Sequence, residues 1–177
     1  MTPTELEARL RWLHRESFGW ALHCCGWEES DAEDVLQTAY LKVLSGAARY
    51  EGRSVFKTWL FGVIRRTAQE THRRMRAQER RAERFAREGE MPHASDDPER
   101  ELIRAETSQR LIEAMRRLPE RQREVLHLVF YQDLTIAEAG AVMEVSLGTA
   151  RTHYERGKAR LRALLEEERR ERPATGR

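Results

Sequence analysis

The sequence predicts an all-α protein of two small helical domains joined by a flexible linker, the second domain a helix-turn-helix. Three observations carry that expectation. Apolar residues recur at three- and four-residue steps along nearly every patterned segment, and no stretch sustains the apolar-polar alternation of a half-buried strand. Between two patterned halves lies MPHASDDPERE, which has breakers and no periodic apolar residues. A chain of 177 residues has room for one ordinary domain or two small ones.

The first helix is expected from about Thr4 to Cys25, with Leu6, Leu10, Leu13, Ser17, Trp20, Ala21 and Cys24 along one side. Ser30 or Asp31 is placed to cap a second, which carries Val35, Leu36, Ala39, Tyr40, Val43 and Leu44 and ends at Ser45-Gly46. After the loop AARYEGRS, a third helix starts near Val55 and continues beyond Arg74. It gathers Phe56, Trp59, Leu60, Val63 and Ile64 on one face, with Arg65, Arg66, Arg73 and Arg74 elsewhere. Past the linker, Leu102 to Leu118 reads as helical and Pro119 suits the first position of the next helix, whose buried stripe is Val125, Leu126, Val129 and Phe130. Thr135 and Glu138 have capping-box spacing ahead of a short helix through Met143. Ser146 can cap a last helix with Leu147, Ala150, Tyr154, Gly157 and Leu161 inward. A short helix, a tight turn and a longer basic helix make a helix-turn-helix.

Charge is nearly balanced overall, with 32 Lys and Arg against 30 Asp and Glu, but it is segregated. Five of the seven residues from Glu28 to Asp34 are acidic, residues Arg65 to Arg87 carry a net +6, Glu88 to Glu106 a net −5, and Thr149 to Arg162 a net +4. At 40% hydrophobic residues the chain can still build modest cores. No apolar run approaches the length of a membrane span and MTPTELEARLRW lacks the core of a secretory signal, so a cytoplasmic protein without membrane insertion is expected. Adjacent Cys24 and Cys25 have no metal-ligand spacing and read as reduced, buried thiols. The six histidines are scattered without carboxylates at metal spacing, and no Ser sits in a nucleophile elbow. No cofactor, metal or catalytic residue is therefore expected, and the chain is read as a binding protein and not an enzyme.

The last helix divides cleanly. With its apolar set inward, Thr149, Arg151, Thr152, His153, Arg156, Lys158 and Arg160 project outward, and a major groove about 12 Å wide admits such a helix. Arg151, Thr152 and His153, in the first turns, can reach base edges, whereas Arg156, Lys158 and Arg160 suit phosphates. In the third helix and the loop before it, aromatic residues (Tyr50, Phe56, Trp59, Phe61) stand among cations (Arg53, Lys57, Arg65, Arg66), a mixture that suits unstacked single-stranded bases. Phe56 and Trp59 fit the buried stripe equally well. The loop from Tyr50 to Ser54 is not explained by core packing: Gly52 lets it turn, and Arg53 and Ser54 bring polar groups to its tip. The acidic cluster fits either the ordinary preference of acids for a helix N-terminus or a docking surface for a basic partner.

These segments, in this order, resemble a bacterial RNA polymerase sigma factor of the extracytoplasmic-function group of the sigma-70 family, and the resemblance covers nearly the whole chain. DAEDVLQTAYLKVL is similar to the family's polymerase-binding helix, and FKTWLFGVIRRTAQETHRR to its promoter-melting and minus-ten helix. RLPERQREVLHLVFYQDLTIAEAGAVMEVSLGTARTHYERGKARL is similar to its minus-thirty-five helix-turn-helix. The resemblance implies a region 2 domain over 1–77, a linker over 78–106, a region 4 domain over 107–168 and a tail over 169–177. It implies that RNA polymerase core is bound by Asp31, Glu33, Asp34 and Gln37. Minus-ten promoter DNA falls to Tyr50, Arg53, Ser54, Phe56, Lys57, Arg65, Arg66, Arg73 and Arg74, and the minus-thirty-five element to Thr149, Arg151, Thr152, His153, Arg156 and Lys158. An anti-sigma factor is the further partner it implies.

Three positions depart from the family pattern: Arg66 stands where Asn is usual, Glu144 where Gly is common at the turn, and Thr38 where Glu is frequent. A left-handed backbone at Glu144 would cost about 1 kcal/mol. The rival reading is a stand-alone helix-turn-helix regulator, since GTARTHYERGKARL also looks like the end of a response-regulator output domain. That reading leaves DAEDVLQ and the aromatic, Arg-rich helix without a purpose.

Overall fold

The computed structural model describes residues 2–83 and 110–171, and among them all regular structure is helical. The elements are α1 (Pro3–Trp12), α2 (His14–Cys24), α3 (Glu29–Leu44), α4 (Phe56–Glu83), α5 (110–116), α6 (Glu120–Phe130), α7 (Ile136–Met143) and α8 (Leu147–Glu171). The expected first helix is broken in two at Leu13, where φ −89° and ψ 3° bend the chain although Leu13 N–H still donates to Arg9 O at 3.1 Å. The bend swings Leu13 into the core beside Leu10, a turn too local for periodicity to reveal. Helix α3 starts one residue before Ser30, after Glu28, with no side-chain cap bond. Pro119 is the N-cap of α6 and not its first helical residue.

Two boundaries move. Helix α4 continues through Glu83, so the segment from residue 78 begins as helix and not as linker, and α8 reaches Glu171, past the expected start of the tail. Residues 84–106 of the expected linker and 172–177 of the tail lie outside the described residues.

Helices α1 to α4 pack around Trp20, which is fully buried and donates its indole N–H to the Phe61 carbonyl at 3.0 Å. Leu13, Val35, Leu36, Leu60 and Ile64 surround it. At roughly 1.5–3 kcal/mol for each large side chain taken from water, this cluster supplies most of what holds the four helices together. In the second unit, α8 crosses α6 closely at Gly157, where an added Cβ would lie 3.2 Å from Leu126 Cγ, and Ala114, Met115, Leu118 and Leu164 fill the space beside it.

The two units share a core. Val125 and Leu128 of α6, together with Leu134, Ala139, Val142 and Met143, join the apolar cluster of the first unit. Helix α7 lies against α4, and α6 against α2. The contact is polar as well. Arg65 is only 2% exposed and clasps Glu124 with two bonds, Nε to Oε1 at 2.8 Å and Nη2 to Oε2 at 3.4 Å. Lys57 Nζ donates to Gln132 O at 2.8 Å, and Arg66 Nε stands 3.8 Å from Glu144 Oε1.

Candidate nucleic-acid interface

Helix α8 begins with a local cap: Ser146 Oγ accepts from Thr149 N–H at 3.1 Å and shares a 2.9 Å bond with Thr149 Oγ1. The turn before it depends on Glu144, which adopts the left-handed conformation (φ 58°, ψ 43°) and ends α7. Gly140 lets α7 and α8 meet, since a Cβ there would come within 3.2 Å of Ala150 Cβ and 3.3 Å of the Val145 carbonyl. Ala150 is buried against this corner and Gly157 against α6, and Thr149, Arg151, Thr152 and Arg156 are exposed. The Thr152 hydroxyl donates to Gly148 O at 2.9 Å, so it offers a base its lone pairs and its methyl group. His153 is half-buried, and so is Lys158, which sits 4.9 Å above the Tyr154 ring and 3.6 Å from Glu155. Leu147, expected inward, is the first residue of α8 and is 48% exposed.

The loop from Tyr50 to Ser54 closes on itself. Tyr50 Oη donates to Ser54 O at 2.6 Å, Gly52 takes φ 74°, and Arg53 pairs with Glu51 at 2.9 Å on the exposed tip. Tyr50, Phe56 and Trp59 form an aromatic trio with centroid separations of 5.2 to 5.3 Å. Phe56 is 5% exposed, so its ring is packed in the core and is not open to a stacked base in this arrangement. Of the cations grouped with it in the sequence, Arg66, Arg73 and Arg74 are exposed. Arg65 is buried on Glu124, and Lys57 is half-buried between Glu16, at 3.1 Å, and the Gln132 carbonyl. In this arrangement neither lies open along α4. The same face holds a concavity of about 460 Å³ whose lining includes Lys42, Ala48, Arg49, Trp59, Arg66 and Thr67. Sequence reasoning did not single out Lys42 or Arg49. Arg49 adjoins Tyr50 and could have been included with the loop, whereas Lys42 is recognisable only through its fold partners, Glu70 at 2.7 Å and Thr67 at 3.2 Å.

Helix α3 presents Glu33, Asp34 and Gln37 to solvent, while Ala32, Val35, Leu36 and Ala39 face the core. Asp31 is half-buried. Glu33, Asp34 and Gln37 edge a shallow concavity of about 570 Å³ that also takes in His14, Phe18 and Tyr40. Cys24 and Cys25 are free thiols, and burial pushes Cys25 up to about 12, so it stays protonated. Among the described residues no three His, Cys, Asp or Glu side chains converge on a possible metal position, and no helix is long and apolar enough to cross a membrane.

Comparison with known proteins fits this geometry. The family model described as Sigma-70 region 2 matches residues 8–80, and that described as Sigma-70, region 4 matches 114–163. The chain is 32% identical over 136 residues to the RNA polymerase sigma factor CarQ of Myxococcus xanthus, covering 77% of this chain and 75% of that one. The chain belongs to the sigma-70 family. Within that family it is a sigma factor of the extracytoplasmic-function group, a promoter-recognising subunit of RNA polymerase. A further relative, the RNA polymerase sigma factor YlaC of Bacillus subtilis (strain 168), is 28% identical over 79% of this chain and 80% of its own.

Among solved structures, the sigma factor RpoE of Bartonella quintana, crystallised with the anti-sigma factor NepR, superposes with a TM-score of 0.70. The match is at 21% identity over 92% of this chain and 97% of that one, and the likeness is one of fold. The region 2 match accounts for the half of the sigma factor that a stand-alone regulator would leave without use. Its two matched regions bracket the segment between residues 80 and 114, in keeping with two helical domains and a connection.

Proposed function

We propose that this sigma factor works by binding alone, in the cytoplasm, with the acidic face of α3 gripping RNA polymerase core and two separate basic surfaces reading the promoter. Glu33, Asp34 and Gln37, with Asp31 at their edge, form the docking patch. Arg151 and Thr152 read minus-thirty-five base edges, with Thr149 and His153 beside them. Arg156 and Lys158 hold phosphates. The loop from Tyr50 to Ser54, the cavity edged by Arg49 and Arg66, and the exposed Arg73 and Arg74 receive the melted minus-ten strand. Taking one base out of the stack there offsets part of the cost of melting.

The observation that carries this reading is the division of α8. Its buried positions, Ala150 and Gly157, fit it against the rest of the helix-turn-helix, and the residues left outside are a hydroxyl-bearing and cationic set in the first two turns. Neither DNA surface needs high affinity, because both are tethered to one polymerase and act at a raised local concentration. An anti-sigma partner is part of the proposal: in the superposable structure of the sigma factor RpoE the partner is the anti-sigma factor NepR.

In vitro transcription with core polymerase on genomic fragments, with start sites mapped, tests the whole. Specific starts that need the chain are expected. The reading fails if the purified chain neither co-elutes with core polymerase nor directs any start.

A further inference from the structure

Where the two units meet, the chain buries two imidazoles against each other. His23 of α2 and His127 of α6 have ring centroids 4.3 Å apart, and both are buried. Trp20 stacks on His23 at 5.2 Å and lies 5.5 Å from His127. Trp27 and Tyr131 close the remaining sides, at 5.1 Å from His23 and 5.3 Å from His127. Among the described residues His23 Nδ1 has no hydrogen-bond partner, and His127 Nε2 stands 3.2 Å from the Gln132 amide nitrogen, a donor that needs the imidazole lone pair. This cage is built for uncharged rings.

Charges of both signs face the pair. Cys24 on α2, Arg65 and His72 on α4, and Glu120, Arg123 and Glu124 on α6 line the space beside His23, while Arg116 lies 6.0 Å over Trp27. Glu124 is already engaged by Arg65 and Arg121. Burial, then His127, then Arg123 hold His23 well below its ordinary 6.5, and burial pushes His127 down to about 4.

We propose that His23 and His127 form a proton-operated latch: uncharged, they let the second unit close over α4, and protonated, they part the two units. The latch also governs charge. In the closed arrangement three cations of α4 are held by the second unit, Lys57 by the Gln132 carbonyl, Arg65 by Glu124 and Arg66 by Glu144. Opening frees Arg65 and Arg66 from their partners in the second unit and leaves Lys57 on Glu16 alone. That this would favour minus-ten DNA rests on the proposed role of α4, whereas the opening itself does not.

The sign follows from linkage. In the open chain each exposed imidazole binds a proton near 6.5, more tightly than in the cage. Closure is therefore complete above that value and weakens as pH falls. Each pH unit below it multiplies the open-to-closed ratio about tenfold for one imidazole and about a hundredfold for the pair, until the buried values are reached.

Small-angle scattering of the full chain from pH 8 to pH 5, with far-ultraviolet circular dichroism on the same samples, tests the latch. The radius of gyration should rise below pH 6.5 at constant helix content. His23→Phe should halve the steepness of the rise, and H23F/H127F should remain compact throughout. Should a variant fold poorly, the imidazole titrations of the wild-type chain by nuclear magnetic resonance decide instead: depressed values support the latch and values near 6.5 overturn it. A constant radius in the wild type, expansion that the double variant shares, or expansion accompanied by loss of helix overturns it as well. If the latch opens yet binding of a minus-ten single strand does not improve, the fault lies with the assignment of α4 and not with the latch.

Discussion

Arg65 and Glu124 leave water together, and each is satisfied only by the other and by near neighbours: Arg121 Nη1 adds a 3.1 Å bond to Glu124, and with its amide turned to accept, Gln69 offers Arg65 an oxygen at 2.9 Å. Truncating one member leaves the other charged and buried, so Arg65→Ala should cost about 3–5 kcal/mol, whereas replacing both with apolar residues of similar size should cost far less. Urea titrations followed by tryptophan emission would measure this, since Trp20 sits at the junction. A loss in the double variant as large as the two single losses added together would mean that the pair carries no mutual energy. Glu144 and Arg66 form a weaker couple. Both are half in solvent, and a 3.8 Å pair of that kind contributes at most about 1 kcal/mol. A left-handed Glu costs a similar amount, so Glu144→Gly should leave stability unchanged or raise it by up to about 1 kcal/mol. A thermal melt in which this variant loses more than that would show that the Arg66 contact is stronger than its geometry implies. Both residues stand out in the sequence as departures from the family pattern, but only the fold shows that they face each other.

Individual elements were legible in the sequence wherever a local signal settles the backbone. The capping box of α7 is an instance: Thr135 Oγ1 accepts from Glu138 N–H at 3.2 Å, and Glu138 Oε2 accepts from the Thr135 hydroxyl and backbone N–H at 2.7 and 2.8 Å. Thr135→Ala should destabilise the chain by about 1 kcal/mol at neutral pH. These bonds, the hydroxyl first, lower the Glu138 pKa below its ordinary 4.5. The contribution of the carboxylate is therefore complete above 4.5 and is lost as pH falls through the folded value. The difference between wild type and variant, read by thermal unfolding, should narrow below pH 4.5, and a difference independent of pH would remove Glu138 from the account. What periodicity could not supply is contact between elements. Residues 65, 68, 69 and 72 of α4 form a second stripe, at helical spacing, that packs towards the second unit, and Arg65 and His72 within it look like a solvated face until α6 is in place. Gly157 hides a contact of the same kind, with its open side filled by Gln122 and Leu126 at 3.2 Å. A branched side chain there, as in Gly157→Val, should cost roughly 1–3 kcal/mol by overpacking α8 against α6.

At the scale of the whole molecule, charge is sorted by face in a chain whose net charge is only +2. The exposure of Glu33, Asp34 and Gln37 on α3 and of Thr149, Arg151, Thr152 and Arg156 on α8 was legible because exposed polar residues interrupt an apolar period. The exposure of the α4 cations was legible only in part, because Lys57 and Arg65 serve the contact between units in this arrangement. That difference determines which variants report cleanly. Asp34 is exposed on α3 and no part of the core rests on it, so Asp34→Arg should leave helix content intact while weakening binding to core polymerase, and unchanged transcription would return the cluster to a helix-terminus preference. On α8 the roles proposed for the two arginines separate affinity from sequence reading. Arg156→Ala should weaken binding of polymerase-bound sigma to all promoters alike and reduce the salt slope by about one, the mark of a lost phosphate contact. Arg151→Ala should cost about 1–3 kcal/mol on the preferred sequence and little on one altered at the base it reads. Promoter-binding titrations across a salt series distinguish the two, and a uniform loss with Arg151→Ala would make it a backbone contact and shift base reading to Thr152 and its neighbours.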